Sequence, residues 1–159
     1  MGDHLSTYLQ DHHAGSTAGL ELARRAAGSN EGSAYGEELS RIAVEIAEDK
    51  AALEQIMDEL GVGAHRDKDG AAWVGEKLGR LKPNGSLVSY SPLSRVVEIE
   101  GLVLGVTGKL ALWESLKTVL GPSADGVDLD RLAERAADQR RRLEELRRAA
   151  VAEALADGR

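Results

Sequence analysis

The sequence contains no cysteine and no phenylalanine, and aromatic residues make up only 3% of its 159 residues. The absence of cysteine excludes disulfide bonds, thiolate metal sites, iron–sulfur ligation and cysteine nucleophiles. Because aromatic residues are so few, Leu, Ile, Val and Ala must build the core. These residues suit helix-on-helix packing better than pleated sheets.

Long apolar runs and an excess of positive charge are also missing. No stretch approaches the roughly 18 to 20 apolar residues that span a membrane, and residues 1–10 lack the basic and apolar regions of a signal peptide. The formal net charge is −7, whereas nucleic acids and anionic membranes attract proteins of positive potential. We therefore expect a cytoplasmic protein with neither nucleic-acid nor membrane partners.

The residues that are present are those of an ordinary globular chain, with 42% hydrophobic and 30% charged residues. The length fits one domain, residues 1–159. Four segments carry apolar residues at alternating three- and four-residue steps, the pattern of helices buried on one side. The predicted helices cover residues 3–27, 33–60, 91–120 and 128–158, and good capping residues open the third and fourth.

The connections between these helices predict their arrangement. The connection 62–90 is long and holds a short candidate helix with Ala71, Val74, Leu78 and Leu81 on one face, whereas the other two connections are short. Two short connections on either side of a long one are typical of two antiparallel helical hairpins joined by a crossover. The sequence therefore predicts an all-α four-helix bundle with a long crossover that carries a short extra helix between helices 2 and 3.

This architecture resembles the ferritin-like superfamily. Its bundles have two hairpins, a long crossover, and acidic or imidazole ligands that project inward at mid-height. The resemblance covers the four helices. The segments LQDHHAG (residues 9–15) and YSPLSR (residues 90–95) also resemble a group of small actinobacterial bundle proteins, which implies no particular activity.

Each predicted helix carries a polar residue within its apolar stripe: His12, Asp49, Glu100 and Gln139, in chain order. Burying an unpaired polar side chain costs about 2–7 kcal/mol, so these residues need partners. In a ferritin-like order, His12, Asp49 and Gln139 share one layer, and Glu100 lies above it. Glu45 lies on the same edge of the second helix as Asp49.

Two interpretations of this layer remain open. In the first it is a metal site, where His12, Glu45, Asp49, Glu100 and Gln139 supply ligands suited to iron, manganese or zinc. Di-iron bundles place a Glu-x-x-His pair on each of two helices, and this sequence contains no Glu-x-x-His. In the second, the polar groups bond one another, for example His12 to Asp49, and fix the register of the helices.

Two surfaces complete the prediction. The outer side of the third helix carries Gly101, Gly105, Leu112 and Leu116 away from the main stripe, and we expect either the crossover helix or a partner, such as a second copy of the chain, to cover it. The arginine-rich segment 140–148 has glutamates at four-residue spacing, which is typical of a solvated, salt-bridged face.

These observations predict a non-catalytic, self-associating bundle protein that acts through interaction. The alternative is a metal-binding protein or metal-dependent oxidase that uses the layer of histidine and carboxylates. A third possibility is a small-molecule pocket inside the bundle, because the Ala- and Gly-rich first helix leaves space between helices.

Overall fold

The computed structural model describes residues 2–64 and 89–156. They form helices α1 (Asp3–Ser29), α2 (Ala34–Glu59), α3 (Pro92–Leu120) and α4 (Leu129–Leu155), with strands β1 (Ser123–Ala124) and β2 (Val127–Asp128) between α3 and α4. The all-α class is therefore confirmed. The predicted short helix at 71–81 lies outside the described residues, and within them no helix is long and apolar enough to cross a membrane.

Local capping chemistry sets the starts of α3 and α4. The Ser91 hydroxyl accepts a hydrogen bond from the backbone N–H of Ser94, and Pro92 occupies the first turn, where no N–H partner is needed. The Asp128 carboxylate accepts one from the backbone N–H of Arg131 at 3.0 Å. Both predicted starts are confirmed.

The sequence prediction does not include the β1–β2 hairpin. Its two turn residues, Asp125 and Gly126, have φ angles of 46° and 73°, the left-handed conformation that a two-residue hairpin turn requires. An Asp-Gly pair is a strong hairpin signal. The turn places Val127 in the core just before α4 begins.

Two apolar clusters fill the bundle, one towards each end. The upper core consists of Leu20, Leu22, Ala23, Ala26, Leu39, Ile42, Ala43, Ile46, Val96, Ile99, Leu102, Val106, Leu143 and Ala150. The lower core consists of Leu9, Leu53, Ile56, Met57, Val62, Leu112, Trp113, Leu116, Val127, Leu129, Leu132, Ala133 and Ala136.

The order in which each helix meets these cores gives its direction. α1 and α4 run from the lower core to the upper core, and α2 and α3 run the opposite way. α1 packs on α2 and α3, and α3 also packs on α4. The backbones of α2 and α4 make few close approaches, so long side chains span the space between these two helices.

The outward face predicted on α3 is not a single surface. Leu112 and Leu116 lie in the lower core with 2% and 0% exposure. A Cβ atom on Gly101 would lie 3.1 Å from the side chain of Leu22 on α1, and Gly105 is exposed. The prediction that a partner contacts Leu112 and Leu116 is therefore wrong, because the chain's own residues already bury both side chains.

Candidate functional site

A layer of polar side chains separates the upper core from the lower core. We call it the polar layer; it comprises Glu45 and Asp49 of α2, Lys109 of α3, and Arg135 and Gln139 of α4. Asp49 and Gln139 are 1% and 0% exposed, and the Lys109 side chain is 13% exposed. In each helix the flanking turns are apolar, so the layer is enclosed above and below.

Asp49 is the centre of the polar layer. The Lys109 ammonium donates to Asp49 Oδ2 and to Gln139 Oε1. The Arg135 guanidinium donates to Asp49 Oδ1, with Nε 2.8 Å away. Gln139 Nε2 donates to Asp49 Oδ2 at 3.2 Å and to Glu45 Oε2 at 2.9 Å. Two cationic side chains and one amide thus hold a single buried carboxylate by charge-assisted bonds.

Burial works against the charge on Lys109. Taking the ammonium out of water lowers the pKa of Lys109 below its ordinary value, and the adjacent Asp49 carboxylate opposes that shift. Removing Asp49 would therefore leave a buried ammonium without its counter-charge, which is expensive.

The polar layer continues along the contact between α2 and α4 as a polar seam. Its members are Glu38, Glu45 and Glu48 of α2 and Arg135 and Arg142 of α4. Arg142 donates to Glu38 Oε1 at 2.7 Å and to Glu45 Oε2 at 2.5 Å. Arg135 also donates to Glu48 Oε2 at 2.7 Å. Because α2 and α4 are antiparallel, these pairs match only in one register.

The predicted site residues separate into two groups. Asp49, Gln139 and Glu45 are brought together in the polar layer, as described. His12 is half-buried and lies edge-on to the Tyr8 ring, with ring centroids 4.6 Å apart, so the predicted bond between His12 and Asp49 is wrong. Glu100 is exposed and lies 3.7 Å from Arg147, outside the polar layer.

The arrangement fits a metal ion poorly. Within residues 2–64 and 89–156, no three His, Asp or Glu side chains are grouped so as to hold one. The oxygens of Asp49 and Glu45 face the N–H groups of Lys109, Arg135 and Arg142, whose charge repels a cation. At Asp49, both carboxylate oxygens already accept hydrogen bonds, Oδ1 from Arg135 and Oδ2 from Lys109 and Gln139.

A cavity of about 290 Å³ adjoins the polar layer between α1, α2 and α3. Its apolar lining includes Leu53, Leu102, Leu112 and Trp113, and its polar lining includes His12, Asp49 and Lys109. Burial lowers the pKa of His12 below 6.5, against a smaller opposing effect of Asp11, so its imidazole is neutral at pH 7.

Small residues account for the open space. Gly15 of α1 and Gly105 and Gly108 of α3 border the cavity. Within the described part of the chain, a Cβ atom at any of these three positions would meet no other atom within 4 Å. The sequence prediction of a gap beside the first helix agrees with this placement, although two of the three glycines come from α3.

Trp113 is the unusual member of the cavity wall. Its side chain is 1% exposed, yet the indole Nε1 has no hydrogen-bond partner within the described part of the chain. Leaving such a donor unpaired costs roughly 1–3 kcal/mol. Lys109 lies one turn before Trp113 on α3, so both residues face the same side of the helix.

The cationic residues of the polar layer and the polar seam, Lys109, Arg135 and Arg142, are not among the residues predicted from the sequence. The signal lies in two matching patterns. Glu38 and Glu45 lie seven residues apart on the edge of α2 that also carries Asp49. Arg135 and Arg142 lie seven residues apart on one edge of α4.

The salt-bridged outer face predicted for residues 140–148 is confirmed for Arg141, which pairs with Glu145 at 2.7 Å, and for Arg148, which pairs with Glu144 at 3.4 Å. It is wrong for Arg142, which lies in the polar seam.

Comparison of the chain with protein-family models, with curated proteins and with solved structures finds no match. The class that the fold and the site define is thus a helical bundle with a buried polar layer and an adjoining cavity. Fold alone does not imply function, so the function has to be argued from this site.

Proposed function

We propose that this protein is a non-catalytic helical bundle that binds a small, mostly apolar molecule in the cavity between α1, α2 and α3. The observation that carries the proposal is the composition of the cavity: an apolar wall of leucine side chains bordered by the polar side chains of His12 and Lys109. Ligand sites characteristically combine a large apolar surface with a few convergent polar groups.

The volume limits the size of the ligand. At about 290 Å³ the cavity is near the lower end of known ligand sites. It is about twice as large as an engineered apolar cavity of roughly 150 Å³ that holds benzene. A ligand of about a dozen non-hydrogen atoms therefore fits.

The state of the bordering polar groups favours binding over catalysis. Asp49 is held by Lys109, Arg135 and Gln139, so its carboxylate is not free to accept a proton from a substrate. Lys109 is likewise bonded to Asp49 and Gln139. A general base needs a free lone pair within hydrogen-bond reach of the reacting proton.

This proposal takes the place of the self-association predicted from the sequence, since burial of Leu112 and Leu116 removes half of the surface on which that prediction depends. The ferritin-like order with a crossover remains our proposal for the fold. Its support is that α2 and α3 are parallel, which requires the connection after α2 to return along the bundle.

The test is a titration with 1-octanol as a neutral apolar probe. Replacing Trp73 by Phe makes Trp113 the sole tryptophan, so its fluorescence reports on the cavity. We expect a saturable change that is weakened at least tenfold by Gly108→Leu, which fills the cavity. Gly19→Leu is the matched control, because Gly19 does not border the cavity and a Cβ there also meets no described atom within 4 Å.

Circular dichroism confirms that each variant is folded before the titration is interpreted. The proposal is overturned if the Trp73→Phe protein shows no saturable response. It is also overturned if Gly108→Leu and Gly19→Leu bind the probe equally well, since filling the cavity would then make no difference.

A further inference from the structure

We infer that the cavity selects uncharged molecules and excludes both organic anions and organic cations, because the buried charges on its border already compensate one another. This inference rests on the proposed function, since it specifies which molecules the same cavity binds. The proposed function requires only a mostly apolar ligand, whereas selection by charge depends on the ion pairs around the cavity.

Charged side chains of both signs border the cavity. Within the described part of the chain, Asp11 and Asp49 are the acidic ones, and Lys50 and Lys109 are the basic ones. Each basic residue has an acidic partner, because Lys109 pairs with Asp49 and Lys50 pairs with Glu54. Asp11 is exposed to water. The border therefore offers a ligand no buried charge that lacks a counter-charge.

Asp49 and Lys109 are the buried members of this set. The Lys109 ammonium donates to Asp49 Oδ2, and the Arg135 guanidinium donates to Asp49 Oδ1. A ligand charge of either sign beside this pair is attracted by one member and repelled by the other. A ligand that took the place of one member would leave the other as an uncompensated buried charge, which is strongly destabilising.

The buried parts of the polar layer and the polar seam are balanced as a whole. Their carboxylates and cations are equal in number: Glu38, Glu45 and Asp49 against Lys109, Arg135 and Arg142. Two further carboxylates pair with these arginines, Glu48 with a side chain that is 59% exposed and Asp138 with one that is 47% exposed, so water screens their charges. The charges behind the cavity therefore favour neither sign.

The remaining polar groups at the cavity do not change this balance. Burial lowers the pKa of the His12 imidazole below 6.5, so His12 is uncharged at pH 7. Lys50 and Glu54 have side chains that are 20% and 43% exposed, and Glu54 also bonds to His13 at 2.8 Å. Solvent weakens the effect of such partly exposed pairs on a ligand inside the cavity.

The apolar wall makes the loss of hydration decisive. The side chains of Leu53, Leu102 and Leu112 offer no hydrogen bond to an ion. Moving an ion out of water costs far more than moving an uncharged group of similar size, unless an opposite charge compensates it. An uncharged molecule avoids this cost and still gains from burying its apolar surface against the leucines.

The test compares benzyl alcohol, benzoate and benzylammonium, which are compact molecules with one aromatic ring each. The polar group is so close to the ring that the ring cannot enter the cavity while this group stays in bulk water. Binding to the unmodified protein is measured by isothermal titration calorimetry at pH 7, where benzoate and benzylammonium are both ionised. We expect benzyl alcohol to bind at least tenfold more tightly than either ion.

Asp49→Asn tests the reason for this selection. It removes the negative charge between Lys109 and Arg135 and keeps a side chain of the same shape. Benzoate can then supply the missing charge, so its affinity should rise at least tenfold relative to that of benzyl alcohol. Asp58→Asn is the matched control, because Asp58 is exposed on the same helix and does not border the cavity. It should leave the order of the three probes unchanged.

Glu54→Gln provides a second measurement if Asp49→Asn does not fold. It leaves Lys50 at the border of the cavity without its carboxylate partner. Because both side chains are partly exposed, the affinity of benzoate relative to benzyl alcohol should rise by only about threefold.

The outcomes distinguish this inference from the proposed function. A preference of less than tenfold for benzyl alcohol, or tighter binding of either ion, overturns the selection by charge but leaves a ligand-binding cavity. Unchanged relative affinities in both Asp49→Asn and Glu54→Gln also overturn it, because the ion pairs would then not be its cause. If none of the three probes binds, the selection by charge is overturned, and the titration with 1-octanol decides separately whether the proposed function holds.

Discussion

The two sides of the polar layer differ in how their space is filled. Towards α4, Asp49 meets Arg135 and Gln139, and the polar seam continues with Arg142 between Glu38 and Glu45. Towards α1, the same aspartate borders a cavity. The same buried carboxylate is thus part of a filled polar contact on one side and of the lining of an open cavity on the other.

Side-chain length explains the contrast. Arg135 and Arg142 are long enough to span the wide separation of α2 and α4, and their guanidinium groups satisfy several carboxylate oxygens at once. Facing the cavity, Gly15, Gly105 and Gly108 have no side chain to occupy the space. Stability should therefore depend on the polar seam, and ligand affinity on the cavity.

The largest expected effect comes from removing the shared anchor. Asp49→Ala leaves Lys109 and Arg135 without their buried carboxylate, so we expect the free energy of unfolding to fall by about 3–5 kcal/mol. Urea denaturation measures this change. Asp58→Ala is the control, because Asp58 is exposed on the same helix and its loss should change stability by less than about 0.5 kcal/mol.

A double variant sharpens this prediction. Asp49→Leu combined with Lys109→Met replaces the closest buried ion pair by apolar side chains and leaves Arg135 with Glu48. We expect it to be more stable than Asp49→Ala, since no buried ammonium remains uncompensated. If the double variant is as unstable as Asp49→Ala, then the uncompensated charge of Lys109 is not the reason for the lower free energy of unfolding of Asp49→Ala.

Two glycine substitutions of intermediate effect compare a closed contact with the open cavity. A Cβ atom at Gly36 would lie 2.2 Å from the backbone oxygen of Asn30, so Gly36→Ala should lower the free energy of unfolding by about 1–3 kcal/mol. At Gly15 a Cβ meets nothing within 4 Å among the residues that the structure describes, and Gly15→Ala should raise stability by about 0.5–1 kcal/mol. Thermal unfolding of the two variants should therefore move in opposite directions, and a loss of stability in Gly15→Ala would contradict the open cavity.

The smallest expected effect is a dependence on pH that is confined to the cavity side. Burial lowers the pKa of His12 below 6.5, so the unfolded chain binds a proton at this residue more readily than the folded chain does. The contribution of His12 to stability is complete above pH 6.5 and is lost as the pH falls below it. We expect stability to decrease less between pH 7 and pH 5 in His12→Gln than in the unmodified protein.

His4→Gln is the matched control for this experiment, because His4 is exposed on the same helix. Stability as a function of pH is obtained from chemical denaturation at each value. If His12→Gln and His4→Gln change the pH dependence equally, then burial of His12 beside the cavity is not the cause.

Much of the fold follows from local sequence signals. The caps at Ser91 and Asp128 and the apolar stripes predict where the helices begin and which faces they bury. The same reasoning identifies Asp49 and Gln139 as buried polar groups that need partners, and both are found in one layer. These predictions succeed because they depend on contacts within one or two turns of a single helix.

The partners themselves could not be derived in this way. Lys109 occupies a position in a mostly apolar helix, and its long side chain reaches Asp49 on another helix. His12 has the spacing of a core residue, yet it packs against Tyr8 rather than bonding to Asp49. The spacing of residues along one helix does not show which side chain of another helix a long, flexible side chain will contact.

Residues close together in the sequence thus determine where the helices end, which faces are buried and that buried polar groups need partners. Backbone capping and the 3.6-residue period of the helix act over such short distances. Only the packing of the helices establishes that Asp49 is shared between a filled seam and an open cavity. It also establishes that the Trp113 N–H has no partner among residues 2–64 and 89–156. Those properties depend on distances between helices, which arise only when all the side chains compete for the same interior space.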